Sequence, residues 1–101
     1  MSEEAELQKK CNKLLKDNGI GFIHIEKGRG KNKTHRGGFP DILFWIGRKF
    51  YAVELKAPGK KATPEQLEYL KDLTDNGGAY TYVLKEYVHF ESVVKMAMED
   101  A

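Results

Sequence analysis

The sequence predicts an α/β fold: a mixed four-stranded sheet in the order α-β-β-β-α-β, flanked by helices and followed by a short terminal helix. Three observations carry this. Two apolar, strand-forming runs, Asp41 to Ile46 and Phe50 to Lys56, are separated by Gly47-Arg48-Lys49, a hairpin connection. A helix start at Thr63-Pro64-Glu65-Gln66 then stands between the second run and a later strand, Ala79 to Leu84. A crossover of that kind implies a parallel pair, whereas the hairpin implies an antiparallel one.

The elements follow in order. Ser2 is placed to cap a first helix, with Glu3, Glu4 and Glu6 in the first turns, where carboxylates suit the helix dipole. Leu7, Cys11, Leu14 and Leu15 recur at the spacing of one helical face, and Asn18-Gly19 stops the run. Gly21 to Glu26 reads as a strand carrying Phe22, Ile23 and Ile25, with His24 on a sheet face. Gly28 to Gly38 holds four glycines and no apolar periodicity, so it reads as a loop. After the hairpin, Ala57-Pro58-Gly59 ends the pair. Thr63 then caps the second helix, with Pro64 at its first position and Gln66 placed for a capping box. Leu67, Leu70 and Leu73 are its expected inward face, and Asn76-Gly77-Gly78 its end. Phe90 to Met98 is the expected terminal helix. Phe44 and Trp45, mid-strand, read as core or interface.

Length and composition bound the class. At 101 residues, with 41% hydrophobic and 32% charged, the chain reads as a single domain over 1–101 rather than a disordered segment. No apolar run approaches the ~20 residues that span a bilayer, so no membrane partner is expected. The acidic start Met1-Ser2-Glu3-Glu4 lacks signal-peptide character, and the lone Cys11 forms no internal disulfide; a reducing, cytoplasmic setting is expected. The net charge of +2 decides nothing. Its distribution says more, since Lys27, Arg29, Lys31, Lys33 and Arg36 fall within one glycine-rich stretch suited to phosphate contact or to a solvated loop.

The chemistry lies on the hairpin. Side chains alternate across a strand, so Glu54 and Lys56 share one face while Val53 and Leu55 take the other. Asp41 opens the partner strand, where its carboxylate can lie beside Glu54. Two converging carboxylates repel, and a divalent cation relieves the repulsion; Mg²⁺ favours such oxygen donors. Read alone, Glu-x-Lys on a strand is a structural ion pair. His24, His35 and His89 with Cys11 have no zinc spacing. Gly28-Arg29-Gly30-Lys31 is similar to a phosphate-binding loop, but Asn32 stands where a P-loop needs Ser or Thr, so no nucleotide cofactor is expected.

Three segments resemble the PD-(D/E)XK nuclease superfamily, and most closely its VRR-NUC branch of small phage, bacterial and eukaryotic domains. They are Gly38-Phe39-Pro40-Asp41-Ile42-Leu43, Tyr51-Ala52-Val53-Glu54-Leu55-Lys56 and Thr63-Pro64-Glu65-Gln66-Leu67, with Glu4-Ala5-Glu6-Leu7-Gln8 as the opening. The resemblance implies a restriction-endonuclease-like αβββαβ core. It also implies Mg²⁺ or Mn²⁺ held by Asp41, Glu54 and the Leu55 backbone carbonyl, with Lys56 positioning water or stabilising phosphate charge. A first-helix carboxylate would complete the site: Glu4 is the choice, one turn before Gln8, while Glu3 and Glu6 stay open. Gln66 would hold the lysine or a phosphate oxygen, although its capping-box position also explains it. Arg29, Lys31, Lys33, Arg36, Lys60 and Lys61 would contact the DNA backbone. Tyr69 is read as packing. Stand-alone members of this branch resemble Holliday-junction resolvases, so the implied activity is structure-selective endonuclease action on branched DNA by a homodimer. The alternatives are a flap, single-strand or RNA nuclease of the same fold, and a non-catalytic nucleic-acid-binding or protein-binding module.

Overall fold

The computed structural model describes residues 2–25 and 38–101. Helix α1, Glu3–Asp17, opens on Ser2, whose hydroxyl accepts the Ala5 N–H at 3.1 Å. It ends at Asn18, after which Gly19, at φ +66, turns the chain back toward the sheet. Then follow β1 (Gly21–His24), β2 (Ile42–Ile46), β3 (Lys49–Leu55), α2 (Pro64–Gly77), β4 (Tyr80–Leu84) and α3 (Tyr87–Glu99).

The strands lie side by side in the order β1-β2-β3-β4, antiparallel except for the parallel β3–β4 pair. The mixed sheet is the one the sequence predicts. Its hairpin is tighter than expected, because Lys49 pairs with Ile46 and leaves Gly47 and Arg48 as the whole turn. Both have positive φ, 56° and 70°, the backbone whose twist matches the strands of a two-residue hairpin.

Strand alternation divides the core in two. Ile42, Phe44, Tyr51, Val53 and Leu55 face α1 and α3, where Leu7, Cys11, Leu15, Phe90, Val94 and Ala97 close the main cluster. Leu43 and Ala52 face the other way and meet Leu70 of α2 in a smaller one. Glu54 belongs with Ala52 on the α2 face, so the helix that follows β3 covers the strand end that carries it.

Two expectations are corrected. Leu67 is 51% exposed, and Gln66 takes its place among the buried residues of α2 with Leu70. Positions 66, 70 and 73 share one helical stripe, and 67 lies about 100° off it. Helix α3 starts three residues before Phe90, since its cap, Glu86, makes no side-chain cap bond and gives no start signal. Trp45 is 42% exposed and stacks on Phe50 at 6.0 Å, while its neighbour Phe44 is fully buried. No helix among the described residues is long and apolar enough to cross a membrane.

Cys11 is fully enclosed, and burial pushes its thiol up to about 12. At neutral pH the native thiol is therefore neutral and shielded. Labelling by a thiol-reactive probe is expected to track global unfolding across a denaturant series. Rapid stoichiometric labelling of the native protein would contradict the packing of α1.

Candidate active site

Asp41 stands at the junction of three strands. Its N–H donates to the Val53 carbonyl at 3.0 Å, and its own carbonyl accepts the Ile25 N–H at 2.7 Å. Its Oδ2 accepts the Leu55 N–H at 2.8 Å, so a carboxylate takes a ladder position that a carbonyl would otherwise fill. The β2–β3 register pairs Ile42 with Val53, and one step further sets Asp41 beside Glu54. Both are buried, 3% and 2% exposed. Acidic side chains are seldom so enclosed unless paired or hydrogen-bonded, because losing hydration disfavours the charged form.

Glu54 has such partners. Its Oε2 accepts a hydrogen bond from Gln66 Nε2 at 3.0 Å and lies 3.8 Å from Lys56 Nζ. Lys56, half-buried, follows the end of β3, where its N–H is bonded to Leu84 O of β4 at 3.0 Å. Gln66 cannot hold Lys56. Its Oε1 accepts the Thr63 N–H at 2.8 Å, which leaves the NH₂ end facing the site, and an amide donor has nothing to offer an ammonium. The lysine-holding expectation is corrected on that ground; a contact from the amide to a phosphate oxygen stays chemically open.

The VRR-NUC domain model matches residues 2–85. The chain belongs to the VRR-NUC domain family. Two solved structures described as VRR-NUC domain proteins share the fold: one at TM-score 0.72 and 22% identity, covering 94% of this chain and 97% of the other, the second at TM-score 0.77 and 23% identity, covering 97% and 89%. The chain is also similar to Hjc of Archaeoglobus fulgidus, a Holliday junction resolvase, at TM-score 0.56 and 23% identity, over 78% of this chain and 64% of that one. No curated protein matches the chain. The αβββαβ core predicted from the sequence is thus the VRR-NUC fold, consistent with the PD-(D/E)XK superfamily.

In this VRR-NUC chain the donor set suits a hard divalent cation: two carboxylates, Asp41 at the entry to β2 and Glu54 on the neighbouring β3, enclosed on the α2 side. Leu55 turns its N–H toward Asp41, and the carbonyl of a strand residue points to the same side as its N–H. The Leu55 carbonyl therefore also faces the Asp41 side. Among the described residues no three His, Cys, Asp or Glu side chains gather into a metal-holding group, so Glu4, half-buried in the first turn of α1, does not join Asp41 and Glu54 in one. Backbone oxygen and water would complete the coordination, as Mg²⁺ often requires. Lys60 and Lys61 are exposed in the turn between β3 and α2. Arg29, Lys31, Lys33 and Arg36 lie outside the described residues, as do Lys27, His35 and the expected strand end at Glu26. Tyr69 packs edge-on against Phe39 at 5.5 Å, as the sequence reading has it.

Gly38 is a support that the sequence reading left unassigned. It adopts φ +95, and a Cβ there would meet Glu65 Cγ at 3.0 Å, Glu65 C at 3.1 Å and Gln66 N at 3.2 Å. Two of those atoms are backbone, which cannot swing aside. Gly38 thus lets the chain leading to Asp41 sit directly on the first turn of α2. Gly38→Ala is expected to destabilise the protein by roughly 1–3 kcal/mol, from strain at positive φ plus the close approach. Chemical denaturation checks it, and an unchanged midpoint would contradict the contact.

Proposed function

We propose that this chain is a divalent-metal-dependent endonuclease that hydrolyses phosphodiester bonds in DNA, acting on branched structures as a homodimer. The observation that carries the reading is the burial of Asp41, at the entry to β2, and of Glu54, one register step beyond the Ile42–Val53 pair on β3, with Lys56 next to Glu54. A structural ion pair needs one carboxylate; this site has two, and membership of the VRR-NUC domain family supports a nuclease role for them.

Asp41, Glu54 and the Leu55 carbonyl would hold the cation. A bound Mg²⁺ or Mn²⁺ supplies Lewis-acid polarisation of the scissile phosphate and lowers the pKa of a coordinated water. Lys56 stabilises the charge that builds on the phosphate as the bond to its leaving oxygen lengthens. Gln66 holds Glu54 in place, and its second amide proton is suited to a phosphate oxygen. Lys60 and Lys61, with the basic residues between Arg29 and Arg36, contact the backbone without reading sequence. Glu4, half-buried in the first turn of α1, is the first-helix carboxylate proposed to complete the site.

Branched DNA is favoured because the similar protein Hjc is described as a Holliday junction resolvase. A domain of ~100 residues presents little surface to a four-arm junction, whereas a two-fold pair presents two sites. The test is a panel of duplex, flap, four-way junction, single-strand and RNA substrates with Mn²⁺. Junction cleavage in paired strands, lost in Glu54→Gln and Lys56→Ala, supports the reading. Absence of cleavage on every substrate, or cleavage indifferent to both substitutions, overturns it.

A further inference from the structure

Gln66 does two tasks with one amide. Its Oε1 closes the capping box on the Thr63 N–H at 2.8 Å, while Thr63 Oγ1 accepts the Gln66 N–H at 3.1 Å. Its Nε2 donates to Glu54 Oε2 at 3.0 Å. A capping box alone works with either Glu or Gln at this position. Facing a buried carboxylate, only the amide works, and only one way round. Rotated by half a turn, it would set a carbonyl oxygen against Glu54 and leave two donors against the Thr63 N–H.

We propose that Thr63 is a positioning residue for the site: its backbone N–H locks the Gln66 amide so that the NH₂ end is held on Glu54. The proposal rests on reading Glu54 as a site carboxylate. It makes the first turn of α2 the element that fixes the orientation of Glu54, beside its seat for Gly38. Thr63 itself is exposed, and its hydrogen bonds run to Gln66, which in turn donates to Glu54, so its effect passes through Gln66.

Two substitutions separate the backbone donor from the ordinary cap. Thr63→Ala removes the hydroxyl and keeps the N–H. Thr63→Pro removes both, and φ −73, ψ 160 at this residue accommodates proline, also ahead of Pro64. The readout is the Gln66 side-chain amide in metal-free, isotope-labelled full-length protein. Wild type, Thr63→Ser and Thr63→Ala are expected to share a shifted, slowly exchanging amide proton. In Thr63→Pro its exchange should quicken by roughly tenfold or more, as loss of a charge-assisted hydrogen bond implies. Junction cleavage with Mn²⁺ should fall in kcat by a similar factor, with KM little changed, relative to Thr63→Ala. Should Thr63→Pro not fold, the wild type still decides: a scalar coupling across the hydrogen bond, from the Thr63 amide nitrogen to the Gln66 side-chain carbonyl carbon, is required. Absence of that coupling, or an undisturbed Gln66 amide in folded Thr63→Pro, overturns the proposal. Failure of the nuclease reading shows separately, as no Mn²⁺-dependent cleavage by wild type.

Discussion

Glu54→Gln is expected to reduce cleavage by roughly 10²–10³-fold or more while leaving the fold intact, since preorganised charge at a reacting phosphate is usually the largest catalytic contribution. The glutamine is close to isosteric, so the buried volume beside β3 stays filled. Its side-chain oxygen can still accept from Gln66 Nε2, so the donor at 3.0 Å keeps a partner. The substitution removes the attraction to Lys56, 3.8 Å away, but also the repulsion from Asp41 one register step across the hairpin. These two changes oppose each other, and a buried charge sheds a desolvation penalty when neutralised. The thermal midpoint should therefore move by only a few degrees. Glu54→Ala is a poorer probe, because it opens a cavity and strands the Gln66 donor, mixing lost stability with lost chemistry. The measurement is single-turnover cleavage of a four-way junction with Mn²⁺, beside a thermal melt. Wild-type rates in a folded Glu54→Gln protein would remove Glu54 from the chemistry.

Asp41 and Glu54 were legible in the sequence because strand alternation is rigid. Once Val53 and Leu55 belong to the core, Glu54 and Lys56 must share the other face, and the hairpin brings Asp41 alongside. Gln66 was legible as a cap and as a polar site residue, but not as both at once. Its tie to Glu54 crosses from helix to sheet, over a distance that local spacing does not encode. The same limit explains Leu67. Leucines at 67, 70 and 73 look like a helical stripe, yet the polar Gln66 takes the buried position because Glu54 offers it a partner. The start of α3 was missed for want of a capping side chain at Glu86. Gly38 could have been suspected from the ease with which glycine takes positive φ, but what it packs against could not. The resemblance implies a first-helix carboxylate, and helical spacing selects Glu4 for it, but spacing fixes only a face of α1 and says nothing about its distance from β2 and β3.

Phe44→Ala is expected to destabilise the protein by ~3–5 kcal/mol, the range for deleting a buried aromatic side chain. Phe44 is fully enclosed and touches both sides of the main core, stacked on Tyr51 at 4.8 Å and edge-on to Phe90 of α3 at 5.9 Å. Removing it leaves a cavity between sheet and helix that neither α1 nor α3 can close without breaking its own contacts. For a domain of this size each kcal/mol moves the thermal midpoint by about 4–8 °C, so the fall should exceed about 10 °C. The adjacent residue is the control. Trp45 is larger, but it points to the α2 face near the far end of the hairpin, where it is 42% exposed. Its stack on Phe50 and its close contact over Gly21 give Trp45→Ala a smaller expected loss, below about 2 kcal/mol. Measured by denaturation at a concentration low enough to hold the chain monomeric, the two substitutions should therefore differ by several-fold. Equal losses at that concentration would mean that the sheet face around Trp45 is covered within the monomer, against the packing described. Equal losses appearing only as the protein is concentrated would instead place Trp45 in the interface between two copies.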